Sequence, residues 1–403
     1  MNPIIYSIDL GTTKSRILMA EPDENQPFGL KVLYTGECQS HGVRRGQIYN
    51  VDEVQRTINN LVLGAEKKLP KKMPASASKV YCINVNGLSI KASNTQMIER
   101  DITRRGHVEE SDLKAMVESV EYLFSNSKRD EALLQVLPLS YQMDGFDIVN
   151  PIGAPGEVFS ARFLTISAPT RVLDVYNNCV PRIKFNQFSP TASAKGRILL
   201  PGNNNKCILL IDFGAGVTNL AYYNRNGRLN YEISIPLGAD LVTSDIAQEF
   251  NISKEDAEFV KKNIRVLEKQ TGAEVNIKFK DEHEISINTK KLKFVVTARL
   301  RELVAYIESA LKKGSMLTTL EQVYVTGGGA HTAGFVDVLK DRLETKQVVV
   351  CVPTLEGVEN NDLVRYSAVY GMASMYVKNN PVQEERELFG PETEVVEEKP
   401  EAT

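Results

Sequence analysis

Two stretches of the chain, far apart, follow one plan. The first reads Ile4-Ile5-Tyr6-Ser7-Ile8-Asp9-Leu10-Gly11-Thr12-Thr13-Lys14-Ser15-Arg16-Ile17-Leu18, and the second Cys207-Ile208-Leu209-Leu210-Ile211-Asp212-Phe213-Gly214-Ala215-Gly216-Val217-Thr218-Asn219-Leu220-Ala221-Tyr222-Tyr223. Each is an apolar run ending on an aspartate, then a glycine turn, then a second apolar run. The pattern predicts strands over residues 4–8 and 15–20 with a tight turn between them. Its repetition predicts a two-lobed, duplicated α/β fold. A chain of 403 residues is also too long for one ordinary core.

A tight turn between strands gathers backbone N–H groups at one spot, a concavity suited to phosphate oxygens. Glycine lets the backbone come close, and threonine hydroxyls add donors. Asp9 and Asp212 cannot bind phosphate themselves. As ligands of Mg2+, reached through its water shell, they make chemical sense. A third element, Val323-Tyr324-Val325-Thr326-Gly327-Gly328-Gly329-Ala330, puts three glycines after a strand, where a base or ribose could approach. Taken singly, the first turn could be an ordinary hairpin and the third element a loop that starts a helix. Together they predict a cleft that clasps a nucleotide triphosphate from both sides. Gly11 to Ser15 lacks the upstream glycine and following helix of a Walker loop.

The other bulk features exclude more than they suggest. A net charge of -3 gives no reason to expect nucleic-acid binding. Five scattered cysteines without a C-x-x-C pair fit reduced thiols, and four scattered histidines offer no zinc motif. With no secretory pattern and no apolar run of about 18 residues, a soluble intracellular chain is expected.

Helical periodicity predicts helices over residues 52–69, 111–124, 238–250, 253–264, 297–313 and 335–343, with Ser253 and Asp256 as a capping box on the fourth. Strands are expected over 79–85 and 161–167, a surface loop over 73–78, and a connection between halves at 202–206. A last helix, 362–376, should return to the first lobe. Residues 379–403 hold eight acids, two bases and three prolines, a composition expected to be disordered.

The three elements, in this order, resemble the actin, sugar-kinase and DnaK-type chaperone superfamily. Further segments resemble the cell-division family FtsA. Ser40-His41-Gly42-Val43-Arg44-Arg45-Gly46-Gln47-Ile48 is similar to its S-x-G-V-R-K-G signature. Leu134-Gln135-Val136-Leu137-Pro138 through Asn150-Pro151-Ile152-Gly153 is similar to its H-V-L-P-Q-x-Y … N-P-x-G stretch. Residues 235–247 are similar to its I-P-x-G-G-D-x-x-T-x-D-I-A, and the likeness runs over residues 4–377.

The resemblance implies an actin-like fold with a family-specific extra subdomain. First-lobe parts would be 1–84, 163–201 and the helix 359–378, with the extra subdomain at 85–162. Second-lobe core would be 202–243 and 316–358, with an outer subdomain at 244–315 and a tail at 379–403. It implies ATP with Mg2+ as ligands. Asp9, Gly11, Thr12, Thr13 and Lys14 would form the first phosphate loop, Asp212, Gly214, Gly216 and Thr218 the second, and Gly327, Gly328 and Gly329 the adenosine element. Glu258 and Lys261 would reach the nucleoside, Asp9 and Asp212 the metal. It further implies a scaffold that polymerises on the inner face of the membrane and binds the tail of tubulin-like FtsZ. Lys293, Arg299 and Arg301 are the candidates for that contact, since an acidic peptide with apolar anchors suits a basic helical groove.

The sequence departs from the family pattern in three places. Val217 and Asn219 replace a hydroxyl and a carboxylate in the second loop, so weaker nucleotide binding is expected. For hydrolysis the candidates are Asp212 and Gln187, the latter standing near where relatives orient water, with Ser189 where many carry an acid; slow turnover is expected. The acidic ending, with a balance of -6 from the residues above, would be repelled by anionic lipid, so membrane contact is expected from an absent anchor or from a partner. Two other readings share the fold: a carbohydrate kinase, disfavoured by the absence of tryptophan and of a counterpart to Ser40–Ile48, and a PilM-type pilus-assembly protein.

Overall fold

The computed structural model describes residues 2–69, 78–201, 205–267, 274–279, 283–344, 347–351 and 361–380. The expected loop at 73–78 falls almost wholly outside them, as do most of the 202–206 connection and nearly all of the acidic tail.

Strands β1 (Ile4–Leu10), β2 (Lys14–Pro22) and β3 (Leu30–Gln39) form a meander, followed by a short ribbon of β4 (Val43–Arg44) and β5 (Gln47–Ile48). Helix α1 (Val51–Glu66) then crosses over to β6 (Lys79–Val85), which lies parallel to β1. Asn50 caps α1 by accepting from the Glu53 amide at 3.2 Å, and Val54, Ile58, Leu61 and Val62 form its buried stripe. Next come β7 (Lys91–Asn94), β8 (Ile98–Asp101), α2 (Glu110–Ser127), β9 (Glu131–Met143), β10 (Phe146–Ile148) and β11 (Val158–Pro169). Helix α3 (Thr170–Cys179) leads back to β12 (Gln187–Pro190) on the first sheet, and α4 (Thr191–Leu199) follows.

The second lobe opens with β13 (Ile208–Phe213), β14 (Thr218–Tyr223) and β15 (Leu229–Ile235). Helices α5 (Ala239–Phe250) and α6 (Lys254–Leu267), the hairpin of β16 (Glu274–Lys278) and β17 (Glu284–Asn288), and α7 (Thr289–Lys313) build its outer part. It closes with β18 (Gln322–Thr326), α8 (Phe335–Leu343) and β19 (Val348–Cys351), and the chain continues with α9 (Asn361–Arg365) and α10 (Ser367–Asn379).

The duplication is visible in the sheets. The first runs β12-β6-β1-β2-β3 and the second β15-β14-β13-β18-β19, so each has an antiparallel meander on one side and parallel strands on the other. The aspartates occupy matching registers, Asp9 opposite Arg16 and Asp212 opposite Asn219. A third sheet, β10-β9-β11-β7 with β8 also on β11, carries α2 on one face through Met116, Val120, Tyr141 and Phe159. The extra-subdomain boundary expected at 162 falls inside β11, which runs unbroken to Pro169.

Several expected helices have other limits. α7 starts well before residue 297 because Asn288 caps it, accepting from the Lys291 amide at 3.0 Å. The last expected helix is two, broken at Tyr366, and its second part packs on β1, β2 and β6 as a return to the first lobe. Ser253 does cap α6, its hydroxyl accepting from the Asp256 amide at 3.0 Å. α3 and α4 were not foreseen.

Two helical glycines give opposite expectations. A Cβ on Gly371 of α10 would lie 1.9 Å from the Ala194 carbonyl oxygen of α4, a backbone atom that cannot yield. Gly64 of α1 has nothing nearer than 3.6 Å. Gly371→Val is expected to destabilise the protein by about 2 kcal/mol or more, and Gly64→Ala to stabilise it by about 0.5–1 kcal/mol; urea unfolding of both variants checks the contrast.

Candidate functional site

Both aspartates stand one residue before the ends of their strands, at the floor of a cleft of about 1040 Å³ between the lobes. The turn after β1 meets the turn after β13 there. A Cβ on Gly216 would lie 2.4 Å from Thr12 Oγ1 and 2.9 Å from the Arg45 amide, so only glycine allows the two lobes this close. The amides of Ala239 and Asp240, opening α5, donate to the Gly214 and Ala215 carbonyls at 3.0 and 2.9 Å and fix the second turn. Gly327, at φ +91°, lies over the second aspartate: a Cβ would sit 2.7 Å from Asp212 Oδ1.

The Ser40–Ile48 segment buttresses the first turn. Ser40 Oγ donates to the Gly11 carbonyl at 2.6 Å and accepts from Ser15 Oγ at 3.0 Å, and Gly46 reaches the cleft wall.

Asparagines hold the floor. Asn84 donates to Asp9 Oδ1 at 2.7 Å and to Thr191 Oγ1 at 3.1 Å, and accepts from the Leu10 amide at 2.6 Å. Burial pushes the Asp9 carboxyl up, opposed by the charges of Lys195 and Arg16 and reinforced by Asp212. Asp212 accepts from Lys195 Nζ at 2.6 Å and from Asn219 Nδ2 at 3.2 Å. Asn219, where the family pattern carries a carboxylate, is itself held by Ser234, which donates to it at 2.6 Å.

The expected residues come together unevenly. Asp9, Gly11, Thr12, Thr13, Lys14, Asp212, Gly214, Gly216, Glu258, Lys261, Gly327, Gly328 and Gly329 all line the cleft. Lys14 has its ammonium on Glu37 at 2.6 Å, a carboxylate shared with Arg365 at 2.6 Å and Arg16 at 3.4 Å. Burial alone would raise Glu37, but the hydrogen bonds from Lys14 and Arg365 and the charge of Arg16 hold it at about 2. Glu258 pairs with Lys261 at 2.5 Å and accepts from Thr243 at 2.6 Å.

Two expectations need correcting. Thr218 is fully buried and its hydroxyl donates to the Leu237 carbonyl at 2.7 Å, joining β14 to the connection between β15 and α5 instead of facing the cleft. Gln187 does not line the cleft either: its Nε2 donates to Ser189 Oγ at 2.8 Å and to the Met372 carbonyl at 3.1 Å. From that part of the chain it is Thr191 and Lys195, at i and i+4 on one face of α4, that reach the floor. That spacing after Pro190 was the readable signal.

Two sheets of one strand order, paired turns and a glycine loop over a shared cleft define an actin-like fold. The fold is shared with the PilM–PilN type IV pilus biogenesis complex, over 94% of this chain and 99% of that one, at TM-score 0.62 and 14% identity. It is shared also with MreB5 of Spiroplasma citri bound to AMPPNP, over 94% and 97%, at TM-score 0.50 and 13% identity.

In sequence, residues 209–376 match the family model for cell division protein FtsA. Cell division protein FtsA of Buchnera aphidicola subsp. Acyrthosiphon pisum is 26% identical over 395 residues, 92% of this chain and 90% of that protein. Its Bacillus subtilis counterpart is 23% identical, over 95% and 85%. Over most of its length the chain is therefore similar in sequence to the FtsA cell-division proteins. No helix among the described residues is long and apolar enough to cross a membrane.

One buried acid joins the lobes beside this site. Glu232 of β15 accepts from the Ser193 amide, in the first turn of α4, at 3.2 Å, and its Oε2 has no hydrogen-bond partner among the described residues. Burial raises its carboxyl to about 7, against the lowering effect of the Ser193 and Ala192 amides. The unfolded chain releases this proton near 4.5. Between those values the folded state holds a proton that the unfolded state has lost, so this group's contribution to stability falls as pH rises from about 4.5 to about 7 and is flat outside that window. Glu232→Gln removes the dependence. Its melting temperature relative to the unsubstituted protein is expected to climb across the window and level off above it, which melts at a series of pH values would show.

Proposed function

We propose that this actin-like cell-division protein binds ATP in the interlobe cleft, self-associates into filaments, and links the FtsZ ring to the cytoplasmic face of the membrane. The nucleotide part rests on one observation: the two glycine turns converge from opposite lobes to within van der Waals contact, with a glycine loop beside them. That a structural neighbour is bound to AMPPNP supports the same ligand. Of the two carboxylates expected to hold Mg2+, Asp212 is already paired with Lys195, so the ion enters this reading as a companion of ATP. With Gln187 engaged elsewhere, slow turnover follows, since no expected side chain from β12 is left to orient an attacking water.

The partner part rests on α7. Lys293 and Arg301 are exposed, and Phe294, 75% exposed, lies on the same stripe as Arg301 one heptad on, which makes an apolar anchor beside two cations. Arg299 is less available. It holds Asp245 in a bidentate pair at 2.6 and 2.9 Å and also contacts Glu302. The sheet of β7 to β11 supplies the surface for neighbouring subunits and other division proteins.

Fluorescence anisotropy of a labelled FtsZ carboxyl-terminal peptide tests the reading. Saturable binding is expected, weakened about tenfold or more by Arg301→Glu or Phe294→Ser. Arg299→Glu should instead lower the melting temperature, because it leaves Asp245 unpaired. A peptide that does not bind would remove the FtsZ link.

A further inference from the structure

The cleft carries a cation of its own. Lys195 of α4 reaches across the interlobe boundary to Asp212, and the pair is nearly dry, with side chains 14% and 5% exposed. A lysine placed there is not explained by stability, because a buried pair roughly breaks even against apolar packing. Its position does have a chemical reading. Two carboxylates at a phosphate site repel a polyphosphate, and a positive charge held between them offsets that repulsion. Here Lys195 sits directly on Asp212, whereas Arg16 lies 4.0 Å from Asp9 and nearer to Glu37, at 3.4 Å. Asp212 takes one of the three N–H groups of the ammonium, and no other hydrogen bond from it is formed among the described residues, so two remain for the cleft it lines. No group of three or more His, Cys, Asp or Glu side chains gathers among the described residues to hold an ion on protein ligands alone.

We propose that Lys195 is the resident counter-cation of this cleft: held on Asp212, its ammonium meets the phosphate oxygens of a nucleoside di- or triphosphate where a divalent ion would otherwise bridge them. Nucleotide binding is then nearly independent of Mg2+. An ammonium suits the task because it is a compact point charge that binds phosphate through several donors. This rests on the nucleotide-binding reading above.

The test is a titration of the full chain with ATP, followed calorimetrically, in Mg2+ and in EDTA. For the unsubstituted protein the two dissociation constants should agree within about threefold, far less than the roughly tenfold or greater loss expected when a charged phosphate contact is removed. Lys195→Met should weaken binding in EDTA by about ten- to hundredfold and regain affinity in Mg2+. Lys195→Arg should stay Mg2+-independent, and melting curves on all three would show that they fold. A merely structural lysine would leave the Mg2+ response of the variants unchanged, which overturns the proposal. So would an unsubstituted protein that binds ATP only with Mg2+, a result needing no variant. Absence of binding under both conditions would defeat the nucleotide reading itself, and this proposal with it.

Discussion

Helix α4 touches both lobes through backbone and short side chains, and the geometry of the cleft follows from how tightly it is wedged. The Ala194 carbonyl faces Gly371 of α10, the Tyr223 hydroxyl lies over Gly196, and the Ser193 amide donates to Glu232 of β15. None of these contacts can lengthen without opening a void or orphaning a polar group. With the helix pinned, Thr191 meets Asn84 under Asp9 and Lys195 meets Asp212. One nine-residue element therefore sets the distance between the two halves of the duplicated device and places charge at its centre.

The duplication was legible because its signals are local. An apolar run, an aspartate, a glycine turn and another apolar run sit side by side in the chain, and the parallel strands that complete each sheet follow from the crossover helices between them. The wedge was not legible. Thr191–Leu199 is short and made largely of small residues, so no broad apolar stripe announces it, and its main packing partner, α10, lies far along the chain.

The misplaced site residues fail for the same reason. Gln187 and Ser189 share one side of β12 by strand alternation, and that side is covered by α10, whose position no local pattern reveals. Arg299 reads as an exposed helical cation until α5 brings up Asp245. Thr218 stands in the expected register, but the connection after β15 takes its hydroxyl. Spacing places a residue along an element, while its partner is decided by which other element arrives there.

Thr12 and Gly216 touch at the bottom of the cleft, whereas Lys254, Lys262 and Arg365 stand exposed at its margin. The contact acts as a fulcrum. A small rocking of one lobe on the other barely changes the spacing of the phosphate turns but sweeps the margin through a much longer arc, as the tips of tongs travel farther than the jaws near the pivot. Whatever lies deep in the cleft is thus gripped at nearly constant width, and the posture of the lobes is reported at the outer surface, where a neighbouring molecule would feel it.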